Sequence, residues 1–252
     1  MISLTVAMPA LNEEKNIVAA VTDTLNAFKA FGIKAEVLVV NDGSTDATGS
    51  LVRELMRDFP GQVDIIEHVT PCGIGASFWD AVDKARHEVV CMLPGDNENK
   101  PEEIIRYLWL MSDVDMVIPF VFNRNARSAF RNLVSSAYVS IINYTFKIGL
   151  TYTNGTVLYR TSVLKSLSCR NKGFFFQTDI LVRLLKRGYL YAQVPYRLRT
   201  RLAGNPKAIS WRSFRAVVKG YIKLFLEVYL LRKEKPLNLI KDSISYQRYN
   251  KD

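Results

Sequence analysis

Met8-Pro9-Ala10-Leu11-Asn12-Glu13-Glu14 and, further along, Val40-Asn41-Asp42-Gly43-Ser44-Thr45-Asp46 are the stretches whose reading decides the fold. Each follows an apolar run, residues 2–7 and 36–40, rich enough in β-branched side chains for a parallel strand buried on both faces. Between them, residues 16–31 carry helical periodicity. Strand, helix and strand make a βαβ unit. In sheets built from such units, ligands bind outside the carboxyl ends of the strands, where both motifs fall. Asp42 and the turn from Pro9 to Glu13 should therefore line one crevice. A short carboxylate at a strand end suits a base N–H or a ribose hydroxyl. The same residue types also build turns and caps, and Asp46 reads as the N-cap of a helix running through Met56.

Outward from this unit the alternation continues. Residues 46–59 read as a helix, 62–68 as a strand, 75–86 as a helix and 88–93 as a strand. Pro101 opens a helix to residue 111, and 115–119 is a fifth strand. The expected class is α/β, with a doubly wound, mostly parallel sheet. The loop Pro71-Cys72-Gly73-Ile74-Gly75-Ala76 offers either a close backbone approach to a ligand or a tight strand-to-helix connection.

With 252 residues, 48% of them hydrophobic, the chain can bury a sizeable core as one large domain or a domain with an appendage. Its charge is unevenly spread. Residues 1–120 hold 9 Lys and Arg against 19 Asp and Glu, whereas residues 121–252 hold 25 against 5. So basic a second half implies an anionic partner, whether lipid headgroups, a phosphorylated acceptor or nucleic acid. The acidic first half and the lack of a nucleic-acid motif speak against the last. Cys72, Cys91 and Cys169 are too widely spaced for a disulfide framework or zinc site, and a reducing cytosol is the simplest setting. The amino terminus reads as a strand without a basic leader, so no signal peptide is expected. No transmembrane helix is expected either.

The two opening motifs resemble those of the family 2 glycosyltransferases, P-x-x-N-E followed by D-D-G-S-x-D, with Asn41 in place of the first Asp. The resemblance implies a GT-A fold of the nucleotide-diphosphate-sugar type over residues 1–210. Residues 1–120 would be its nucleotide-sugar half and 121–210 its acceptor half, with a basic amphipathic helix and tail at 211–252. It further implies that Pro9, Ala10, Leu11, Asn12 and Glu13 embrace base and ribose, that Asp42 hydrogen-bonds the nucleotide, and that Gly75 opens a helix packed over it. The segment Met92-Leu93-Pro94-Gly95-Asp96-Asn97-Glu98-Asn99-Lys100-Pro101-Glu102 matches the family's D-x-D stretch. Aligned on Pro101-Glu102, Asp96 takes the second Asp, Glu98 a following Gln, and Pro94 the first Asp, which removes one carboxylate. Asp96 and Glu98 remain a pair of oxygen ligands suited to Mg²⁺ or Mn²⁺ bound together with a diphosphate. Asp96 would also bind the nucleotide through that cation, which neutralises the leaving group.

In the acceptor half, Arg124, Arg127 and Arg131 lead a helical segment at 130–150 that reads as a core helix or one at a membrane interface. By resemblance Arg127 and Arg131 lie near the acceptor phosphate and the diphosphate. Asn154 to Arg160 matches a family strand but lacks its leading Asp. After an aromatic cluster at 174–176 comes Asp179, in the place where relatives acting on sugar hydroxyls carry a general base. A helix-dipole carboxylate is the alternative. Residues 197–207 look like the R-x-x-G-x-S-K loop of dolichyl-phosphate and undecaprenyl-phosphate sugar transferases, read as Arg201, Gly204 and Lys207 with Pro206 replacing Ser. If extended, Arg197, Arg199 and Arg201 share one face, as either a phosphate clamp or a solvated basic edge. Residues 211–231 form a basic amphipathic helix with the stripe Phe214, Val218, Tyr221, Phe225 and Val228, which lies on a membrane or packs on the domain.

Together these features imply an inverting, metal-dependent transferase. It would move a sugar from a UDP or GDP donor to a polyprenyl phosphate, as a cytoplasmic enzyme peripheral to the inner face of the membrane, with Asp96, Arg131 and Asp179 at the reacting centre. Its rivals are a transferase acting on a glycan hydroxyl with Asp179 as base, and a non-catalytic nucleotide-binding adaptor.

Overall fold

The computed structural model describes residues 2–123, 129–197, 211–231 and 233–251, with the backbone alone for 129–131 and 211–213. The first half follows the expected alternation: β1 (Leu4–Ala10), α1 (Ile17–Phe31), β2 (Ala35–Asn41), α2 (Thr48–Asp58), β3 (Val63–Glu67), α3 (Ile74–Lys84) and β4 (Val89–Met92). The helix expected at 101–111 breaks into α4 (Pro101–Ile105) and a 3₁₀ turn, Leu108–Ser112, before β5 (Met116–Val121). The second half gives α5 (Ala129–Phe146), β6 (Leu158–Arg160), α6 (Thr161–Lys165), α7 (Phe176–Arg187), β7 (Tyr191–Tyr196), α8 (Trp211–Phe225) with a π-helical turn at Leu226–Leu230, and α9 (Ile244–Tyr249).

The strands form one sheet in the order β3-β2-β1-β4-β6-β5-β7. Only β6 runs antiparallel, against both β4 and β5. Successive residues of each buried strand face opposite layers. Leu4, Val6 and Met8 of β1 meet α1, α2 and α4, while Ala7 turns to α3. Val37 and Val39 of β2 share the first layer, and Leu38 and Val40 the second with Phe78 and Trp79. A smaller third cluster joins Ile142 and Phe146 of α5, Phe175 and Val182, and Leu224 and Val228 at the chain's later helix.

Two buried carboxylates fasten elements that are distant in sequence. Asp115 accepts from Arg160 Nε at 3.0 Å, from the backbone N–H groups of Ile244 and Ser245 at 2.9 Å each, and from the Ser245 hydroxyl. The C-terminal segment is thereby bound to the start of β5. Glu36, 2% exposed, accepts from Thr5 Oγ1 at 2.7 Å, Arg86 N at 3.1 Å and Arg86 Nε at 2.6 Å. Burial alone would raise the Glu36 carboxyl, but the hydrogen bonds from Thr5 and Arg86 hold it below its ordinary value. A depressed carboxylate contributes stability that is fully present above the unfolded-state pKa, about 4.3, and is lost as pH falls through the folded value. Glu36→Gln should therefore be less stable than the parent at pH 7, by about 1–3 kcal/mol, with the two converging below about pH 4 in urea titrations.

Candidate active site

Counting outward from β1, the chain runs to β2 and β3 on one side and then crosses to β4 on the other, so the topological switch lies between β1 and β4. That crevice is where open α/β sheets hold ligands. The two opening motifs meet beside it. Asp42 N donates to Ala10 O at 2.9 Å, extending the β1–β2 ladder past the strand ends. Asn12 N bonds Ser44 Oγ at 3.0 Å, Thr45 N bonds Asn12 Oδ1 at 2.9 Å, and Glu13 N bonds Thr48 Oγ1 at 2.9 Å. Glu14 N donates to Asp46 Oδ2 at 3.1 Å, and Ala47 N returns a bond to Glu14 Oε2 at 3.1 Å. Asp46 thus stands one residue ahead of the cap position, which is Ala47, because its carboxylate ties the turn at residue 14 to Thr48. Leu11 remains 39% exposed on the rim.

Asp42 lies 5% exposed at the end of β2. Its Oδ1 accepts from His68 Nδ1 and from Cys72 N at 2.7 Å each, and its Oδ2 from Gly73 N at 2.8 Å. Burial pushes the carboxyl up, but these hydrogen bonds more than offset it and hold Asp42 below the usual range, ionised and acceptor-only at neutral pH. His68 uses its other ring nitrogen on Asp80 Oδ2, 3.0 Å away in α3. Gly75 is buried, and a Cβ there would come within 2.6 Å of the carbonyl oxygens of Lys172 and Gly173. Its missing side chain is thus accounted for by packing against the backbone of residues 172 and 173.

After β4 the chain stays alongside β1, with Leu93 N bonded to Ala7 O at 2.9 Å and Gly95 N to Pro9 O at 3.0 Å. A Cβ on Gly95 would approach Ile17 Cδ1 to 2.9 Å, so this position admits only glycine without a shift. The next turn passes through Asn97 at φ 55°, anchored by its amide to Asp23 of α1 at 3.2 Å, and Glu98 N bonds Asp96 Oδ1 at 3.1 Å. Asp96 and Glu98 are thereby set on a tight turn following β4, across β1 from Asp42. Their all-oxygen donor set fits a hard divalent cation that keeps water and phosphate as its other ligands. A second group, Asp42, His68 and Cys72, has ligand atoms within 4.8 Å of one another. Its mixed O, N and S donors do not suit Mg²⁺.

In the later half of the chain, Asp179 is 3% exposed in the first turn of α7. Arg183 grips both of its oxygens, at 2.9 and 3.1 Å, and also bonds Glu227 and Glu234, the latter at 2.6 Å. Arg187 pairs with Glu234, and Lys233 with Glu227 at 3.0 Å. Burial keeps the Asp179 carboxyl above the usual range despite the pull of Arg183. The charge on Arg183 is opposed by burial too, yet its carboxylate partners raise its pKa further. Asp179 therefore belongs to a charge-balanced buried cluster joining α7 to the turn after α8. Of the arginines and lysine read as phosphate ligands, Arg127, Arg199, Arg201 and Lys207 lie outside the described residues, as does the side chain of Arg131. His68 and the amides of residues 72 and 73 were not read from the sequence as partners of Asp42; the place of His68 at the end of the strand read over 62–68, ahead of the glycine loop, was the available signal.

Residues 5–168 match the model for glycosyl transferase family 2, and the chain belongs to that family. It is 27% identical over 214 residues to a polyprenol monophosphomannose synthase of Mycolicibacterium smegmatis, covering 80% of this chain and 79% of the relative. It is 29% identical over 133 residues to an undecaprenyl-phosphate 4-deoxy-4-formamido-L-arabinose transferase of Pectobacterium atrosepticum, covering 53% of this chain and 41% of that one. Among solved structures, glucosyl-3-phosphoglycerate synthase of Mycobacterium tuberculosis in complex with UDP has the same fold, at a TM-score of 0.66 and 19% identity over 89% of this chain and 80% of that one.

Removing the cation at the centre of the α7 cluster would strand its carboxylates. Arg183→Met should cost about 3–5 kcal/mol in chemical denaturation, and Asp179→Asn distinctly less.

Proposed function

We propose that this chain transfers a sugar, with inversion, from a nucleoside diphosphate of uridine or guanosine to a polyprenyl phosphate. The observation that carries this reading is the extent of the likeness to polyprenol monophosphomannose synthase, which takes in 80% of the chain and so runs beyond the family segment at 5–168. The buried Asp179–Arg183 pair fits the same reading, since a phosphate acceptor is already ionised and needs no strong base.

In this reading the turn Pro9 to Glu13 and the ionised Asp42 hold the nucleoside, with Asp42 accepting a base N–H. Asp96 and Glu98 hold Mg²⁺ or Mn²⁺, the cations present in structures of the M. tuberculosis synthase with UDP. When bound, that cation neutralises the departing diphosphate. An acceptor phosphate oxygen attacks the anomeric carbon in line, and the leaving diphosphate takes the bonding pair. Arg131 stabilises the diphosphate, and Arg127, Arg199, Arg201 and Lys207 clamp the acceptor phosphate. Positioning and fixed charge supply the rate.

Membrane attachment at the inner face belongs to the same reading. Among the described residues no helix is long and apolar enough to cross a membrane. The stripe read over 211–231 divides: Val228 is buried, whereas Phe214 is 56% exposed and Val218 and Phe225 are exposed as well; beside it on α8, Leu224 is buried and Ile222 is 51% exposed. Phe214, Val218 and Ile222 line an open groove of about 630 Å³ with Arg215, Lys219 and Lys223. Apolar and basic stripes side by side match the boundary between acyl chains and anionic headgroups.

Purified protein given labelled UDP- or GDP-sugars, Mg²⁺ and polyprenyl phosphate should yield an organic-extractable product. Asp96→Ala should lower its formation at least about a hundredfold, and Arg201→Ala should raise the acceptor KM about tenfold. Donor binding without any lipid product would instead favour the hydroxyl-acceptor or adaptor readings. The protein should float with anionic liposomes at low salt, and Val218→Glu with Ile222→Glu should abolish flotation; a parent that never floats removes the membrane assignment.

A further inference from the structure

We infer that His68 is a positioning residue of the donor site, a brace that fixes the Asp42 carboxylate and α3 relative to each other. The inference rests on the reading of Asp42 as the nucleotide acceptor.

The imidazole is enclosed, its side chain only 11% exposed, and both ring nitrogens meet carboxylates, Asp42 at 2.7 Å and Asp80 at 3.0 Å. Its own backbone is fixed as well, since His68 N bonds Asn41 O at 2.9 Å. The ring therefore cannot turn without breaking a contact at either end. Asp42 stands at the end of β2 and needs to present one oxygen in a constant direction. Two of its three donors, Cys72 N and Gly73 N, come from a loop that belongs to neither strand nor helix. That loop is followed directly by Ile74, the first residue of α3, and α3 carries Asp80. By linking Asp42 to Asp80, His68 closes a ring from β2 through β3 to α3 around the loop and holds the loop donors in place. Oδ1 then accepts from His68 and Cys72, while Oδ2 accepts only from Gly73 among these donors and keeps capacity for a base N–H. His68 itself need not touch the nucleotide.

The test compares the parent with His68→Ala, His68→Asn and Asp80→Asn, using calorimetry with UDP and GDP, steady-state kinetics and thermal melts. His68→Ala should weaken nucleoside diphosphate binding and raise the donor KM about tenfold, with kcat and acceptor KM within about twofold of the parent. His68→Asn, which keeps an N–H within reach of Asp42, should recover most of that loss, and Asp80→Asn should show a smaller one. Parental binding in His68→Ala, failure of Asn to rescue, or kcat and both KM values moving together would overturn the proposal. Should His68→Ala not fold, Asp80→Asn decides, and parental donor affinity there overturns it. A parent that binds neither UDP nor GDP would instead sink the nucleotide reading.

Discussion

A parallel strand covered on both faces can bring polar chemistry to the surface only at its ends. That constraint governs this chain. Leu4, Val6, Ala7 and Met8 of β1 are wholly apolar in contact, with helices above and below. The first polar residues after β1 must therefore emerge at the carboxyl edge of the sheet, between the equivalent points of β2 and β4. Asp42, Asp96 and Glu98 are gathered at that edge by this rule, not by local sequence. The backbone bonds from Asp42 N to Ala10 O and from Gly95 N to Pro9 O show the mechanism: the neighbouring chains keep pairing with β1 beyond their own strands. The two acidic turns are spaced by the sheet itself.

What could be read in the sequence follows the same logic. The β1-α1-β2 unit was legible because its strands are continuous apolar runs and its turns are rich in Asn, Asp, Gly and Ser. Other boundaries in the first half moved by a residue or two, while the helix read at 130–150 ends at Phe146. The helix at 101–111 split, and β6 shrank to Leu158–Arg160, since so short a strand has no period to detect and its antiparallel sense is set by neighbours. Asp42 could be picked out, but not its partners, which lie 26 to 31 residues away and converge only through the sheet. Asp179 reads by resemblance as a base, or as a helix-dipole carboxylate; the pairing of its partner Arg183 with Glu227 and Glu234, from far along the chain, has no local signal.

The α7 cluster also holds the C-terminal residues in place. A tail rich in Lys and Arg has little apolar surface of its own to bury. Here it is held by its few acids, Glu227 and Glu234 on Arg183 and Arg187, and by donating backbone N–H groups of Ile244 and Ser245 to Asp115. Such buried polar fastenings add specificity of placement more than net stability, because their desolvation cost is large. They fix where α8 sits, and hence which of its faces looks outward.

The antiparallel β6 has a consequence for how such a chain can be divided. β5 is contributed by the sequence that also forms β1 to β4, yet within the sheet it pairs only with β6 and β7, and β4 reaches it only across β6. The later sequence is thus threaded through the earlier sheet like a weft through a warp. A recombination event joining the first 120 residues to a foreign partner would leave two open sheet edges facing each other with nothing between them. New acceptor chemistry on this scaffold is therefore easier to reach through its loops and helices than by exchanging halves.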